Sequence, residues 1–216
     1  MFIHGNDMTQ INSGAYRFLA LPAYYNVVQK TLGGDAARDK VVKRYIKPSA
    51  GMSILDIGCG TAEILEHLPI GAHYVGFDAS AEYIAHARQR YGTRGRFYQG
   101  LATSETLESP GSYDLVLATG LLHHLNDEEV AVLAATAKLA LRLNGKLITL
   151  DCAYIPNQNP IARFLISRDR GQNVRSPEGY ARFFSQDKGW NTKVHLCHDL
   201  LRLPYTHVVL ESQLVT

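Results

Sequence analysis

The stretch Ile54-Leu55-Asp56-Ile57-Gly58-Cys59-Gly60-Thr61-Ala62 carries an apolar strand into a glycine-rich turn, and a helix is predicted from near Thr61. Gly58 and Gly60 let the backbone approach a ligand closely, and a following helix N-terminus offers unpaired N–H groups. A second acid, Asp78, ends the next apolar run, 20 residues after Gly58. A doubly wound fold sets a carboxylate at that place against a ribose diol. The dinucleotide fingerprint G-x-G-x-x-G needs glycine at position 63, where this chain has Glu63. An anionic side chain there repels a pyrophosphate. Asp56, two residues before the first glycine, suits a ligand that carries an ammonium group.

The sequence on both sides fits this reading. The runs SILDIG (53–58), HYVGFD (73–78), RFYQG (96–100), YDLVLA (113–118) and KLITLD (146–151) are continuous rather than alternating. Strands buried on both faces of a parallel sheet read that way. Ser80 is placed to cap a helix carrying Ile84 and Ala87, and Asn126 with Glu129 forms an amide variant of the capping box. Further on, Asn159–Pro160 starts a short amphipathic helix, and Ser176-Pro177-Glu178 opens another that is expected to end near Gly189. TKVHLC (192–197) and THVVLE (206–211) read as an antiparallel pair at the sheet edge. Upstream, 15–31 and 35–47 are helix candidates, interrupted at Gly33–Gly34 and stopped at Pro48. The expected fold is α/β: a Rossmann-like, doubly wound, mostly parallel seven-stranded sheet with an antiparallel C-terminal strand. Its expected divisions are a helical cap over 1–48 and a main domain over 49–216, in which the long connection 151–178 acts as a lid.

Composition narrows the function classes. The 216 residues hold 22 basic and 20 acidic side chains, a formal charge of +2, which gives no support for a dedicated polyanion binder. Apolar residues make up 46% and charged residues 19%, ordinary for one globular domain with an appendage. Three scattered cysteines make no disulfide framework and fit a reducing cytosol. The N-terminus lacks a basic start followed by an apolar run, so no signal peptide is expected. The most apolar helical stretch, Val130–Leu141, contains Lys138 and falls well short of the ~20 residues a membrane span needs. A cytoplasmic protein without a membrane partner is the expectation.

Taken in order, LDIGCGTA, VGFDAS, YDLVLATGLLHHL and LRLNGKLITLD resemble the successive motifs of class I S-adenosylmethionine-dependent methyltransferases of the small-molecule type, in detail over about residues 40–152. The resemblance implies S-adenosyl-L-methionine as cofactor. Asp56, Gly58, Cys59 and Gly60 would then form the loop at its methionine end, and Asp78 would accept the ribose hydroxyls. Ala79 and Tyr83 would flank the adenosine, and Thr119 and Gly120 would lie beside the sulfonium. Leu101–Ala102 occupies the place near the adenine where the family often has an acid followed by a small residue, and here the acid is missing. Ala62 stands at the third glycine of the family loop, and Cys59 reads as a packing residue rather than a nucleophile.

Methyl transfer from a sulfonium is an in-line displacement, so alignment can supply most of the acceleration. A general base helps where the acceptor is a hydroxyl. His123 and His124, after the fourth strand, and Asp151, at the end of the fifth, are the candidates. The strand-four end, Ala118-Thr119-Gly120, lacks the Asn/Asp-Pro-Pro-aromatic run of base N-methylation, and there is no Pro-Cys dipeptide for cytosine C5 chemistry. It also lacks the acid of a catechol-type magnesium site, so no metal is assigned. A small organic acceptor is expected, with O-methylation favoured. Arg163, Arg168, Arg170 and Arg175 could grip an anionic one, or could form a solvated surface with Asp169 paired to an arginine. A cofactor-binding subunit without turnover, an aminopropyl transferase and an RNA methyltransferase are the competing readings. Nucleic acid is disfavoured as a partner, and the oligomeric state is left open.

Overall fold

The apolar runs become the strands of one sheet. In the computed structural model, which describes residues 33–185 and 188–215, these are β1 (Ser53–Ile57), β2 (His73–Asp78), β3 (Gly95–Gln99), β4 (Tyr113–Thr119), β5 (Leu141–Cys152), β6 (Trp190–Cys197) and β7 (His207–Leu214). The order across the sheet is β3-β2-β1-β4-β5-β7-β6. β1 to β5 pair in parallel, and β7 runs antiparallel to both β5 and β6. The expected seven strands and the antiparallel pair are therefore present, with β7 inserted one place in from the edge.

Successive residues of a strand face opposite sides, and the core divides accordingly. Leu55, Val75, Phe77, Val116 and Ala118 pack on one face with α3 (Asp127–Ala140) and α5 (Pro177–Ser185). Ile54, Tyr74, Leu115 and Leu117 pack on the other with α1 (Gly34–Val41) and α2 (Ala81–Tyr91). A short α4 (Pro160–Ser167) lies in the connection after β5. Caps form where the sequence places them. Ser80 Oγ accepts from Tyr83 N at 3.3 Å, Asn126 and Glu129 close a reciprocal box, and Asn159 Oδ1 accepts from Ile161 N at 2.9 Å.

Three local expectations need correction. The segment after β1 holds only a 3-10 turn, Glu63–Glu66, instead of an α-helix from near Thr61. Ala62 sits at φ 58, outside helical space, and Pro69 and Gly71 limit the connection to a single turn. The helix read over 35–47 is α1 followed by a π-helical turn, Val42–Ile46, ended by left-handed Lys47 before Pro48. α5 is described over Pro177–Ser185, and Lys188 and Gly189 already lie in a turn before β6 opens at Trp190. The helix read over 15–31, and with it Tyr16, Tyr24 and Tyr25 of the expected cap, lies outside the described residues. Among the described residues no helix is long and apolar enough to cross a membrane.

The strand order reverses between β1 and β4, whose crossovers leave in opposite directions. An open α/β sheet offers its binding crevice at the carboxyl ends of the strands flanking such a point.

Candidate active site

The glycine bend lies at that switch point. Gly58 and Gly60 take φ +74° and +55°, and the N–H groups of Gly58 and Cys59 both donate to Phe77 O, at 2.8 and 3.0 Å. A Cβ on Gly58 would come within 2.9 Å of Leu121 Cδ2, so this glycine answers to both backbone shape and space. The Cys59 side chain lies over Gly76, where a Cβ would sit 2.8 Å from the sulfur, and burial pushes its thiol pKa up. Cys59 therefore packs the bend against β2.

Two acids flank the bend, each held differently. Asp56 is 2% exposed, and its Oδ2 accepts the Tyr74 hydroxyl at 2.6 Å. Its Oδ1 is buried with no hydrogen-bond partner among the described residues. Burial, with the nearby Asp78 charge adding to it against the Tyr74 hydrogen bond, raises the Asp56 pKa to about 7. Asp78 accepts from Gly60 N at 2.9 Å through Oδ2 and from Ser80 N at 2.8 Å through Oδ1. Burial raises its pKa, and the two backbone donors oppose that. Each Asp78 oxygen keeps acceptor capacity beyond these single bonds.

The other expected cofactor residues line neighbouring strand ends. Ala79 follows β2, and the half-buried Tyr83 lies in the first turn of α2, where burial raises its phenol pKa and the nearby Arg170 opposes that. After β3, Leu101 is exposed and Ala102 buried. Thr119 ends β4, and left-handed Gly120 donates its N–H to Leu150 O at 2.6 Å. An orphaned carboxylate oxygen beside open glycine backbone, with a second carboxylate on the next strand, fits an adenosyl amino acid bearing an ammonium group and a diol.

The base candidates form a second cluster. His123 lies in a 3-10 turn, Leu122–His124, directly after β4 and is 7% exposed. Asp151 Oδ1 takes both the His123 backbone N–H at 3.1 Å and ring Nδ1 at 2.8 Å. On the other side, ring Nε2 meets Asp169 Oδ1 at 3.2 Å. Burial alone would lower His123, but the two carboxylates raise its pKa to about 9. An imidazolium donating from both nitrogens has no lone pair with which to take a proton. His124, whose ring lies 4.0 Å from that of His123, is held neutral by burial and by its charged neighbour, with its pKa lowered to about 3.

The 151–178 segment closes onto this turn. Asn173 N donates to His123 O at 2.9 Å, and a Cβ on Gly171 would lie only 2.6 Å from that same oxygen. Arg175 donates to Leu122 O at 2.9 Å, Leu125 O at 2.8 Å and Asp127 Oδ1 at 2.8 Å, so it clamps the turn instead of gripping a ligand. Arg163 and Arg168 lie over the Tyr154 and Phe164 rings. Asp169, read in the sequence as an arginine's partner, instead holds His123, Gly171 N and the Tyr205 hydroxyl. Sequence reasoning missed Tyr74, Tyr205 and Asp169 as site residues. Each acts across a long stretch of chain and has no local signature.

Comparison with known proteins agrees with this geometry. Residues 54–145 match the family model of a methyltransferase domain. An uncharacterized protein of Synechococcus sp. is 37% identical over 94 residues, covering 40% of this chain and 22% of that protein. The ubiquinone biosynthesis O-methyltransferase of Aeromonas salmonicida is 32% identical over 120 residues, covering 54% of this chain and 48% of that enzyme. The chain thus spans less than half the length of the curated relatives it matches. Among solved structures, the pyocyanin biosynthetic protein PhzM superposes with a TM-score of 0.72 at 15% identity, over 94% of this chain and 62% of that one, a likeness of fold. The matched stretch is the one that builds the bend and its two acids, so this part of the chain is similar to a methyltransferase domain.

Proposed function

We propose that the protein methylates a small organic acceptor at oxygen, using S-adenosyl-L-methionine. The observation that carries this reading is Asp56 Oδ1, buried without a donor beside the glycine bend. An ammonium group is the ligand feature that satisfies it. When bound, the cofactor supplies an electrophilic methyl group on a sulfonium.

The chain supplies binding and alignment. Asp56 holds the ammonium, Gly58, Cys59 and Gly60 offer backbone, and Asp78 accepts the two ribose hydroxyls. Ala79, Tyr83, Leu101 and Ala102 flank the adenosine, while Thr119 and Gly120 border the reacting end. His123, bonded on both sides, positions the turn after β4. His124 is the side chain of the pair in the protonation state that a base needs, although a pKa of about 3 makes it a weak one. Alignment rather than proton abstraction then carries most of the rate. Oxygen as the target is supported by the relatives named as ubiquinone biosynthesis O-methyltransferases. Free Cys59, Cys152 and Cys197 support a reducing compartment, the cytoplasm.

Calorimetry with S-adenosylhomocysteine, followed by release of that product over a panel of phenols, catechols and hydroxy acids, tests the reading. Binding that is lost in D56A and D78A, together with turnover on one acceptor class, is expected. A wild-type chain that takes up no S-adenosylhomocysteine, or acid-to-alanine variants that bind it equally well, would overturn it.

A further inference from the structure

Three metal-ligating side chains from separate parts of the chain converge beyond the ends of β4 and β5. A ring nitrogen of His123, Cys152 Sγ and a carboxylate oxygen of Asp169 all lie within 4.8 Å of one another. His123 and Cys152 are buried and Asp169 is partly buried. Methyl transfer as described above uses no group of Cys152 and involves Asp169 only as a partner of His123, so a metal held by the three together goes beyond that reading.

Its surroundings are those of a ligand set. Asp151 Oδ1 engages His123 Nδ1 at 2.8 Å, which leaves Nε2 as the nitrogen turned to Asp169. A carboxylate behind one imidazole nitrogen fixes the tautomer and aims the other at a cation. The Tyr205 hydroxyl donates to Asp169 Oδ2 at 3.3 Å. His207 is paired directly opposite Cys152 in the β5–β7 ladder, so their side chains share a face of the sheet. Its Nδ1 is buried with no hydrogen-bond partner among the described residues, and the same is true of Asp151 Oδ2. Buried polar atoms left in this way mark a site that lacks a component.

The distances suit a tetrahedral ion. Zinc–ligand bonds of about 2.0–2.3 Å require ligand atoms roughly 3.3–3.8 Å apart. His123 Nε2 and Asp169 Oδ1 are already 3.2 Å apart, and a shift of about 1 Å brings the sulfur in. Magnesium and calcium prefer all-oxygen sets, whereas imidazole with thiolate suits zinc.

We propose that His123, Cys152 and Asp169 bind one zinc-class divalent cation, which fastens the segment around Asp169 to the ends of β4 and β5. His207 or solvent takes the fourth position. Binding exchanges the Nε2 proton of His123 and the thiol proton of Cys152 for the metal, so two protons pass to solvent per ion. The sequence reading that assigned no metal rested on the absent acid at the end of β4, whereas these three ligands lie in the turn after β4, at the end of β5 and in the connection beyond it.

The test uses the full chain, stripped with chelator and kept reduced, titrated with cobalt(II) alone and then with zinc. One equivalent of cobalt with a thiolate-to-cobalt charge-transfer band in the near ultraviolet is expected, with zinc displacing it. C152S should abolish the band, and D169N should weaken zinc binding at least tenfold, both with an unchanged far-ultraviolet circular dichroism spectrum. Failure of the wild-type chain to bind either metal stoichiometrically, a band that survives in C152S, or unchanged zinc affinity in D169N would each overturn the proposal.

Discussion

The Tyr74 hydroxyl donates to one oxygen of the Asp56 carboxylate at 2.6 Å and leaves the other bare. A buried carboxyl with a single donor resists ionisation, and its pKa is raised to about 7 against roughly 3.9 in an unfolded chain. Its contribution to stability is therefore whole below about pH 4 and is lost as pH rises through about 7. An ammonium ligand requires the ionised form, so cofactor affinity follows the opposite course. S-adenosylhomocysteine should bind about tenfold more tightly at pH 8 than at pH 6, with a proton released below pH 7. D56N should bind weakly and show no such slope. Calorimetry across this range decides the matter, and a flat wild-type profile would remove Asp56 from the ammonium site.

Gly58 is constrained twice, by φ +74° and by Leu121 at 2.9 Å from the place of a Cβ. G58A should cost about 1–3 kcal/mol of stability, read by urea unfolding, and should weaken cofactor binding. Adding L121A restores the space but not the backbone strain. The double variant should recover only part of the loss, and full recovery would show that crowding alone matters at this position.

Arg175 is committed to carbonyls at both ends of the turn that presents His123. R175A should lower stability by about 2–3 kcal/mol, because three carbonyls, those of Leu122, Asn173 and Leu125, lose a charged donor. R175K should rescue little, since an ammonium cannot span these acceptors as the planar fork does. Thermal melts in phosphate give a direct check. If Arg175 gripped an anion, phosphate would protect the wild type and not the variant, and the hydrogen bonding predicts equal responses.

Most of the fold was legible because its signals are local. Buried parallel strands are continuous apolar runs, and Ser80, Asn126 and Asn159 cap their helices through atoms two or three residues away. The bend was legible from Gly58 and Gly60, and Ala62 keeps the left-handed shape of the glycine it replaces. The helix expected after the bend was misread because Glu63-Ile64-Leu65-Glu66 has helical character, whereas Ala62 and Pro69 confine it to one turn. The partners of the site residues were hidden for a different reason. Tyr74 reaches Asp56 only through the β1–β2 register, and Asp169 reaches His123 only once the connection after β5 folds back over the strand ends.

The placement of β7 between β5 and β6 orders events during synthesis. As the polypeptide leaves the ribosome, Trp190–Cys197 has no neighbour to pair with until His207–Leu214 has emerged. Val194 and Leu196, still exposed in the finished sheet, then belong to an unpaired ribbon that nascent-chain chaperones would recognise. Translation arrested before residue 207 would leave β5 with a raw margin as well.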